Sequence, residues 1–268
     1  MRCAVIGEPV SHSLSPAIHR AGYRAAGLGW DYDAITVAPG ELAEFVTTCR
    51  DSGQWAGLSV TAPHKQALLS LGEPDAVARL AGAGNTIVFG AETLVHNTDV
   101  PGFVRAWRHR GLAEIVTAVI VGNGATARSL LIALAGLAVR SVTVLARSPE
   151  RAESLLSLGQ MLGITMEAQP LEARIGDTDL VANTIPASAT ARWAPEWASR
   201  SAVLFDAVYD PWPTPLAEAA APEQPVITGL ELLAGQAVDQ FHLLTGADLG
   251  FTDALSAARM ELKARRGT

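Results

Sequence analysis

The chain has 268 residues, 49% of them hydrophobic and 18% charged, with 20 basic against 27 acidic side chains and a formal net charge of −7. This composition excludes a disordered chain and suits two modest globular α/β domains, while the acidic balance argues against a nucleic-acid partner, whose phosphates most of the surface would repel. Two cysteines, Cys3 and Cys49, are too few for a disulfide framework, and neither they nor the six histidines have metal-site spacing, so a reducing, cytoplasmic location and no metal are expected.

The N-terminus opens on a strand-length apolar run rather than a signal peptide, and no apolar stretch is long enough to span a bilayer. Short β-type runs at 3–6, 32–37 and 58–61 alternate with helical patterns at 16–26 and 41–50, which is α/β organisation. Between the first strand and first helix lies Gly7 to Pro16, GEPVSHSLSP, where Ser13 and Ser15 precede a helix with Pro16 expected at its first position. Hydroxyls beside a helix N-terminus make a carboxylate cradle. The alternative is that Ser15 only caps the helix.

After the third strand comes SVTAPHK, residues 59–65, and then two β-type runs, 86–89 and 93–96, separated by a short reversal that implies a mixed sheet. Gly84-Asn85-Thr86 and His96-Asn97-Thr98-Asp99 flank that pair with polar residues where a core would be apolar. A ketone reduced by hydride needs a donor for its oxygen; Lys65 can donate, Asp99 can orient it and Asn85 can bind hydroxyls. A surface lysine and turn-forming Asn and Asp are the plainer reading of each residue alone.

A helical pattern at 102–110 follows Pro101 and Gly102, which punctuate a domain boundary near 100–103. The run TAVIV then enters Gly122-Asn123-Gly124-Ala125-Thr126-Ala127, a helix follows, and SVTVLA makes the next strand, completing a βαβ unit. Such glycines let a backbone turn and approach a pyrophosphate held at a helix N-terminus, although a purely structural turn has the same pattern. SVTVLA ends at Arg147, with Arg151 one turn on, where enzymes using NAD usually carry an acid for the ribose hydroxyls. A guanidinium there suits a 2′-phosphate and so favours NADP, the alternative being a merely solvated surface arginine. Ser148 and Pro149 also fit the N-cap and first position of the next helix. β-type runs at 180–183, 202–207 and 226–228 extend a parallel sheet, and helices at 230–245 and 252–265 close the chain, where Lys263, Arg265 and Arg266 suit the negative end of the last helix.

Taken together, GEPVSHSLSP, SVTAPHK, GAGNT, HNTDVPG, VGNGATAR, ARSPERA, FDAVYDPWPTPL and GLELLAGQA stand in an order that resembles the shikimate dehydrogenase family, including its quinate-oxidising relatives. The resemblance covers nearly the whole chain. It implies an α/β fold: an N-terminal mixed α/β substrate domain, residues 1–101 with 230–268, and a C-terminal Rossmann-type NADP-binding domain, residues 102–229, the final helices returning to the substrate domain. It implies NADPH-dependent reduction of 3-dehydroshikimate to shikimate, with Lys65 and Asp99 as the catalytic pair. Ser13, Ser15, Thr61, Asn85, Tyr209 and Gln236 would contact the substrate. NADP would lie on Gly122, Asn123, Gly124, Ala125, Arg147, Ser148 and Arg151, with Thr184, Val208 and Gly229 at the nicotinamide end. Small molecules are the implied partners, acting on a monomer or homodimer. An NAD-linked quinate/shikimate dehydrogenase and a non-catalytic NADP-binding regulator of the same fold are the alternatives. Ser59 stands where the family commonly has Asn, Asn123 and Ala125 alter the usual Gly-rich turn, and Leu232 replaces a Met.

Overall fold

The computed structural model describes residues 1–267, which divide into two compact units: Met1–Gly102 with the chain from Leu233 onward, and Phe103–Leu232. In the first unit the strands are β1 (Arg2–Gly7), β2 (Asp31–Thr36), β3 (Trp55–Val60), β4 (Glu73–Pro74), β5 (Thr86–Phe89) and β6 (Thr93–His96). They form one mixed sheet in the order β2-β1-β3-β5-β6-β4. β1 runs parallel to β2 and β3, while β5 is antiparallel to β3 and β6. The expected mixed sheet is therefore present.

Helices α1 (Ser15–Ala25), α2 (Leu42–Asp51) and α3 (Ala76–Ala81) belong to this unit, and α4 (Asp99–His109) begins in it. The sequence expectation started α4 three residues later, at 102. Asp99 instead opens its first turn and Pro101 is tolerated there, because the first N–H groups of a helix have no intrahelical acceptor to lose. Residues from β1, β3, β5 and β6 (Ile6, Leu58, Ile87 and Val95) meet Val46 and Cys49 of α2 in one core. Helix α1 buries Ile18, His19, Gly22 and Tyr23 along one stripe, as helical spacing requires.

The second unit carries a fully parallel sheet of β7 (Thr117–Val121), β8 (Ser141–Ala146), β9 (Thr165–Pro170), β10 (Thr178–Asn183), β11 (Ser201–Asp206) and β12 (Val226–Thr228). Its order is β12-β11-β10-β7-β8-β9. Counted within the unit this is the doubly wound order 3-2-1-4-5-6, with the reversal between β7 and β10. Helices α5 (Ala125–Gly136), α6 (Glu153–Met161), α7 (Ala194–Ser199) and α8 (Pro215–Glu218) lie along its connections. Four residues of β7 and the last four of β10 and β11 are buried, as expected of parallel strands covered on both faces. Helix α9 (Gly229–Thr245) starts in the second unit and continues in the first, and α10 (Phe251–Arg265) ends the fold. No helix among the described residues is long and apolar enough to cross a membrane.

His19 makes a prediction about stability. Its ring is fully buried and stacks on Tyr32 with centroids 4.1 Å apart. Burial lowers its pKa from 6.5 to about 3, offset in part by the Gln240 side chain. The unfolded chain thus binds this proton more tightly than the folded one, so the contribution of neutral His19 is complete above about pH 6.5 and is lost as pH falls toward 3. In that window the pH slope of unfolding free energy should exceed that of His19→Phe, by at most about 1.4 kcal/mol per pH unit. Urea unfolding at a series of pH values measures both, and parallel slopes would refute it.

Candidate active site

The topology of the first unit gathers polar residues at one end of the strands of its sheet. Ser13 and Ser15 follow the end of β1, Thr61 and Lys65 follow β3, and Asn85 precedes the antiparallel β5; Asp99 follows β6. Lys65 Nζ donates to Asp99 Oδ2 at 2.6 Å, with side-chain exposures of 15% and 6%, so this is a pair largely withdrawn from water. Asn85 is fully buried, and its Nδ2 donates toward Asp99 Oδ1 at 3.0 Å, Thr98 Oγ1 at 2.9 Å and Gln236 Oε1 at 2.7 Å. Asn85 Oδ1 in turn accepts the Thr98 N–H at 2.8 Å. Every polar atom of the Asn85 carboxamide is therefore engaged, which fixes its orientation.

Gln236 reaches this group because α4 and α9 approach at two glycines. A Cβ on Gly102 would lie 2.6 Å from the Gln236 backbone nitrogen, too close for any side chain, and one on Gly235 would run into the Gly102 carbonyl. Ser13 Oγ donates to Ser15 Oγ at 3.2 Å, and both serines are buried. Ser15 is not the cap: Leu14 occupies that position, Ser15 is the first helical residue, and Pro16 is the second. Its N–H is taken by Ser13 Oγ at 3.3 Å, so the chain enters the helix one residue earlier than expected. Arg265 also does more than oppose the end of a helix, since its guanidinium donates to the His12 and Ser13 carbonyls at 3.0 and 3.1 Å.

In the second unit, Gly122 has φ +108°, and a Cβ there would meet Thr184 Oγ1 at 2.5 Å. Only glycine can make this turn. Gly124 caps α5 without a side-chain hydrogen bond, and nothing lies within 4 Å of where its Cβ would be. Asn123 and Ala125 complete the turn, leaving first-turn N–H groups of a twelve-residue helix facing an open approach that suits a pyrophosphate. Arg147 follows β8 and is exposed, as is Arg151 in the short helical turn Pro149–Ala152. Ser148 makes no side-chain cap. Instead its carbonyl accepts the Arg151 N–H at 3.0 Å. The residues thus fit a nucleotide carrying a further phosphate: a glycine turn at a helix start, at the switch point of the sheet, and two exposed guanidiniums after the neighbouring strand.

The ends of β10 and β11 are tied together by a buried pair. Asn183 Nδ2 donates to Asp206 Oδ1 at 2.9 Å, and the same oxygen takes the Val208 N–H at 3.0 Å; Thr214 donates to the other oxygen at 2.7 Å. Burial raises the Asp206 pKa, against the lowering effect of Thr214, Val208 and Asn183. Thr184 Oγ1 donates to the Val121 carbonyl at 2.7 Å, and Gly229 sits against the backbone of Ala207 and Val208. Thr184, Val208 and Gly229 are thereby brought to the carboxyl ends of neighbouring strands. Tyr209, half-buried, also belongs to this second unit, unlike the other expected substrate residues.

A family model described as the shikimate dehydrogenase substrate binding domain matches residues 5–87. A curated shikimate dehydrogenase (NADP(+)) from Moorella thermoacetica is 36% identical over 263 residues, covering 91% of this chain and 88% of the relative. The chain belongs to the shikimate dehydrogenase family. The crystal structure of Mycobacterium tuberculosis shikimate dehydrogenase superposes with a TM-score of 0.88 at 34% identity, covering 97% of this chain and 99% of that one. The Thermus thermophilus shikimate dehydrogenase structure, in complex with NADP(H) and shikimate, gives 0.83 at 30% identity, with the same coverage of the two chains. In this member of the shikimate dehydrogenase family the residues that local pattern does not single out are Asn183, Asp206, Tyr32 and Gln240. Ser59 stands out in the sequence only as a departure from the family's usual Asn.

Proposed function

We propose that this protein catalyses the NADPH-dependent reduction of 3-dehydroshikimate to shikimate, an oxidoreductase step of aromatic amino-acid (chorismate) biosynthesis. The observation that carries the reading is the withdrawn Lys65–Asp99 pair at 2.6 Å, joined to the amides of Asn85 and Gln236, in a chain of this family. When bound, the reduced nicotinamide supplies the hydride. Lys65 Nζ gives the proton to the oxygen that gains charge as the ketone becomes an alcohol, and takes it back in the oxidative direction. Asp99 holds the ammonium in place through Oδ2 while its other oxygen is held by Asn85.

Ser13 and Ser15 at the start of α1, with Thr61, hold the carboxylate end of the substrate, while Asn85 and Gln236 hold its hydroxyls. Tyr209 is a further residue that we assign to the substrate. Gly122, Asn123, Gly124 and Ala125 carry the pyrophosphate, Arg147, Ser148 and Arg151 the 2′-phosphate, and Thr184, Val208 and Gly229 the nicotinamide end. Arg147, standing where an acid would bind the ribose hydroxyls of NAD, weighs against the NAD-linked quinate alternative. The intact Lys65–Asp99 pair weighs against a non-catalytic regulator. Two free, buried cysteines suit a reducing cytoplasm, where we place the protein as a monomer or homodimer.

The test is an assay of shikimate and quinate, each against NADP+ and NAD+. Quinate carries an extra tertiary hydroxyl on the carbon bearing the carboxylate, beside the two buried serines. The expected kcat/KM for shikimate exceeds that for quinate by more than about tenfold, the discrimination a close-fitting pocket gives against one added group. Equal efficiency on the two substrates would instead support a dual-substrate enzyme.

A further inference from the structure

A single chain of donors runs through the first unit and ends on the catalytic carboxylate. Tyr32, fully buried, donates its hydroxyl to Ser59 Oγ at 2.6 Å, and Ser59 donates to Gln240 Oε1 at 3.0 Å. Gln240 Nε2 donates to Thr86 Oγ1 and to the Asn85 carbonyl, both at 3.0 Å. Thr86 Oγ1 donates to Asn85 Oδ1 at 3.2 Å, and Asn85 Nδ2 donates to Asp99 Oδ1 at 3.0 Å. Asp99 takes Lys65 on its other oxygen. Each group donates in the same direction, toward the one carboxylate, so reversing any amide would put two donors or two acceptors face to face.

At its far end the chain meets helix α1, because the Tyr32 ring stacks on His19, which lies one turn after Ser15 on that helix. Ser15 is also the acceptor of Ser13 Oγ. The Tyr32 ring is clamped by the stacked His19 ring at 4.1 Å, so the hydroxyl has a fixed direction. Ser59 matters for its size and chemistry: its single hydroxyl both accepts from Tyr32 and donates to Gln240, whereas an Ala there would leave the Gln240 oxygen and the Tyr32 hydroxyl buried without each other. Satisfied buried networks of this kind rigidify what they connect.

We propose that Tyr32, acting through Ser59 and Gln240, is a positioning residue that sets the Ser13–Ser15 pair in register with the Asn85–Asp99–Lys65 group, and so determines affinity for a ligand with a carboxylate at one end and hydroxyls at the other. This rests on the proposed function for the identity of that ligand. Tyr32 and Gln240 do not touch the reacting atoms; they fix the spacing of the residues that do.

Tyr32→Phe removes one oxygen and keeps the ring against His19. The variant should raise the KM for shikimate about 5- to 20-fold, the effect of losing one or two net hydrogen bonds, with the KM for NADP+ unchanged and kcat within about threefold. Ser59→Ala should match it, Ser59→Thr should recover the wild-type KM because the hydroxyl returns, and the Tyr32→Phe/Ser59→Ala double variant should be no worse than the weaker single variant. A folded Tyr32→Phe with an unchanged shikimate KM overturns the proposal, as does an equal rise in both KM values, which marks general loosening of the fold. If Tyr32→Phe does not fold, the Ser59 pair decides in the same way, Ser59→Ala indistinguishable from Ser59→Thr being the overturning result. Wild-type protein that turns over no shikimate would overturn the functional reading and this proposal together, whereas an active wild type beside a neutral Tyr32→Phe overturns this proposal alone.

Discussion

Replacing Lys65 by Ala is expected to lower turnover about 10²- to 10⁴-fold, the usual contribution of a positioned acid or base. The ammonium lies 2.6 Å from Asp99, and no other cation is hydrogen-bonded to that carboxylate among the described residues. Water entering the site of the variant can donate in place of Lys65, but without the fixed direction that Asp99 imposes. Loss of kcat and kcat/KM in similar proportion would mark an interaction made in the transition state, while a rise in KM alone would mark simple binding. The NADPH dissociation constant should change little, because the residues proposed to bind the nucleotide belong to the second unit. Removing one partner of a withdrawn pair leaves Asp99 uncompensated, so a fall in thermal midpoint is expected as well; the kinetic comparison is made below that midpoint. Steady-state rates for variant and wild type provide the check. Turnover within a factor of a few of wild type would remove Lys65 as the principal proton donor.

Arg147→Ala is expected to weaken NADPH by about 10- to 150-fold, equivalent to about 1.5–3 kcal/mol for hydrogen bonds to a charged group. The side chain is exposed immediately after β8, and no carboxylate is paired with it among the described residues. Its guanidinium is therefore available to a 2′-phosphate without breaking an existing bond. NADH lacks that phosphate, so its weaker binding should change little in the same variant. The contrast separates recognition from structure, because disruption of the loop would harm both cofactors alike. Titrating each cofactor into wild type and variant, followed by fluorescence or calorimetry, gives the four constants required. Equal losses would show that Arg147 supports the loop and does not read the phosphate.

Much of the fold is legible locally. The apolar runs of β1, β3, β7, β8, β10 and β11 are strand-length and largely buried, and the helices between them follow helical spacing, so period and punctuation suffice to place them within a few residues. The elements that leave no local signal are those whose neighbours supply what their sequence lacks. β9, TMEAQP, is a polar edge strand ending in Pro, and β4 is two residues long; each exists because a partner strand offers it a ladder. Helices α3, α7 and α8 have six residues or fewer, too short to show a period.

For the site, local sequence marks the candidate groups: a glycine turn between a strand and a helix, an arginine after the next strand, and a lysine, an asparagine and an aspartate at strand ends. These signals survive in short windows, since a turn, a cap and a strand end are each set by a few adjacent residues. Which of them meet is settled by packing over long separations. Tyr32 and Ser59 are 27 positions apart, and Ser59 and Gln240 are 181 apart, yet each pair shares a hydrogen bond. Asn85 and Gln236 meet across 151 positions because two glycines let α4 and α9 close on each other. A buried donor must find an acceptor wherever the fold places one, and that requirement leaves no periodic trace around either residue. Composition and local pattern therefore specify most of the strands, the turns and the candidate groups, while the orientation of those groups depends on side chains brought together by packing of the whole sheet.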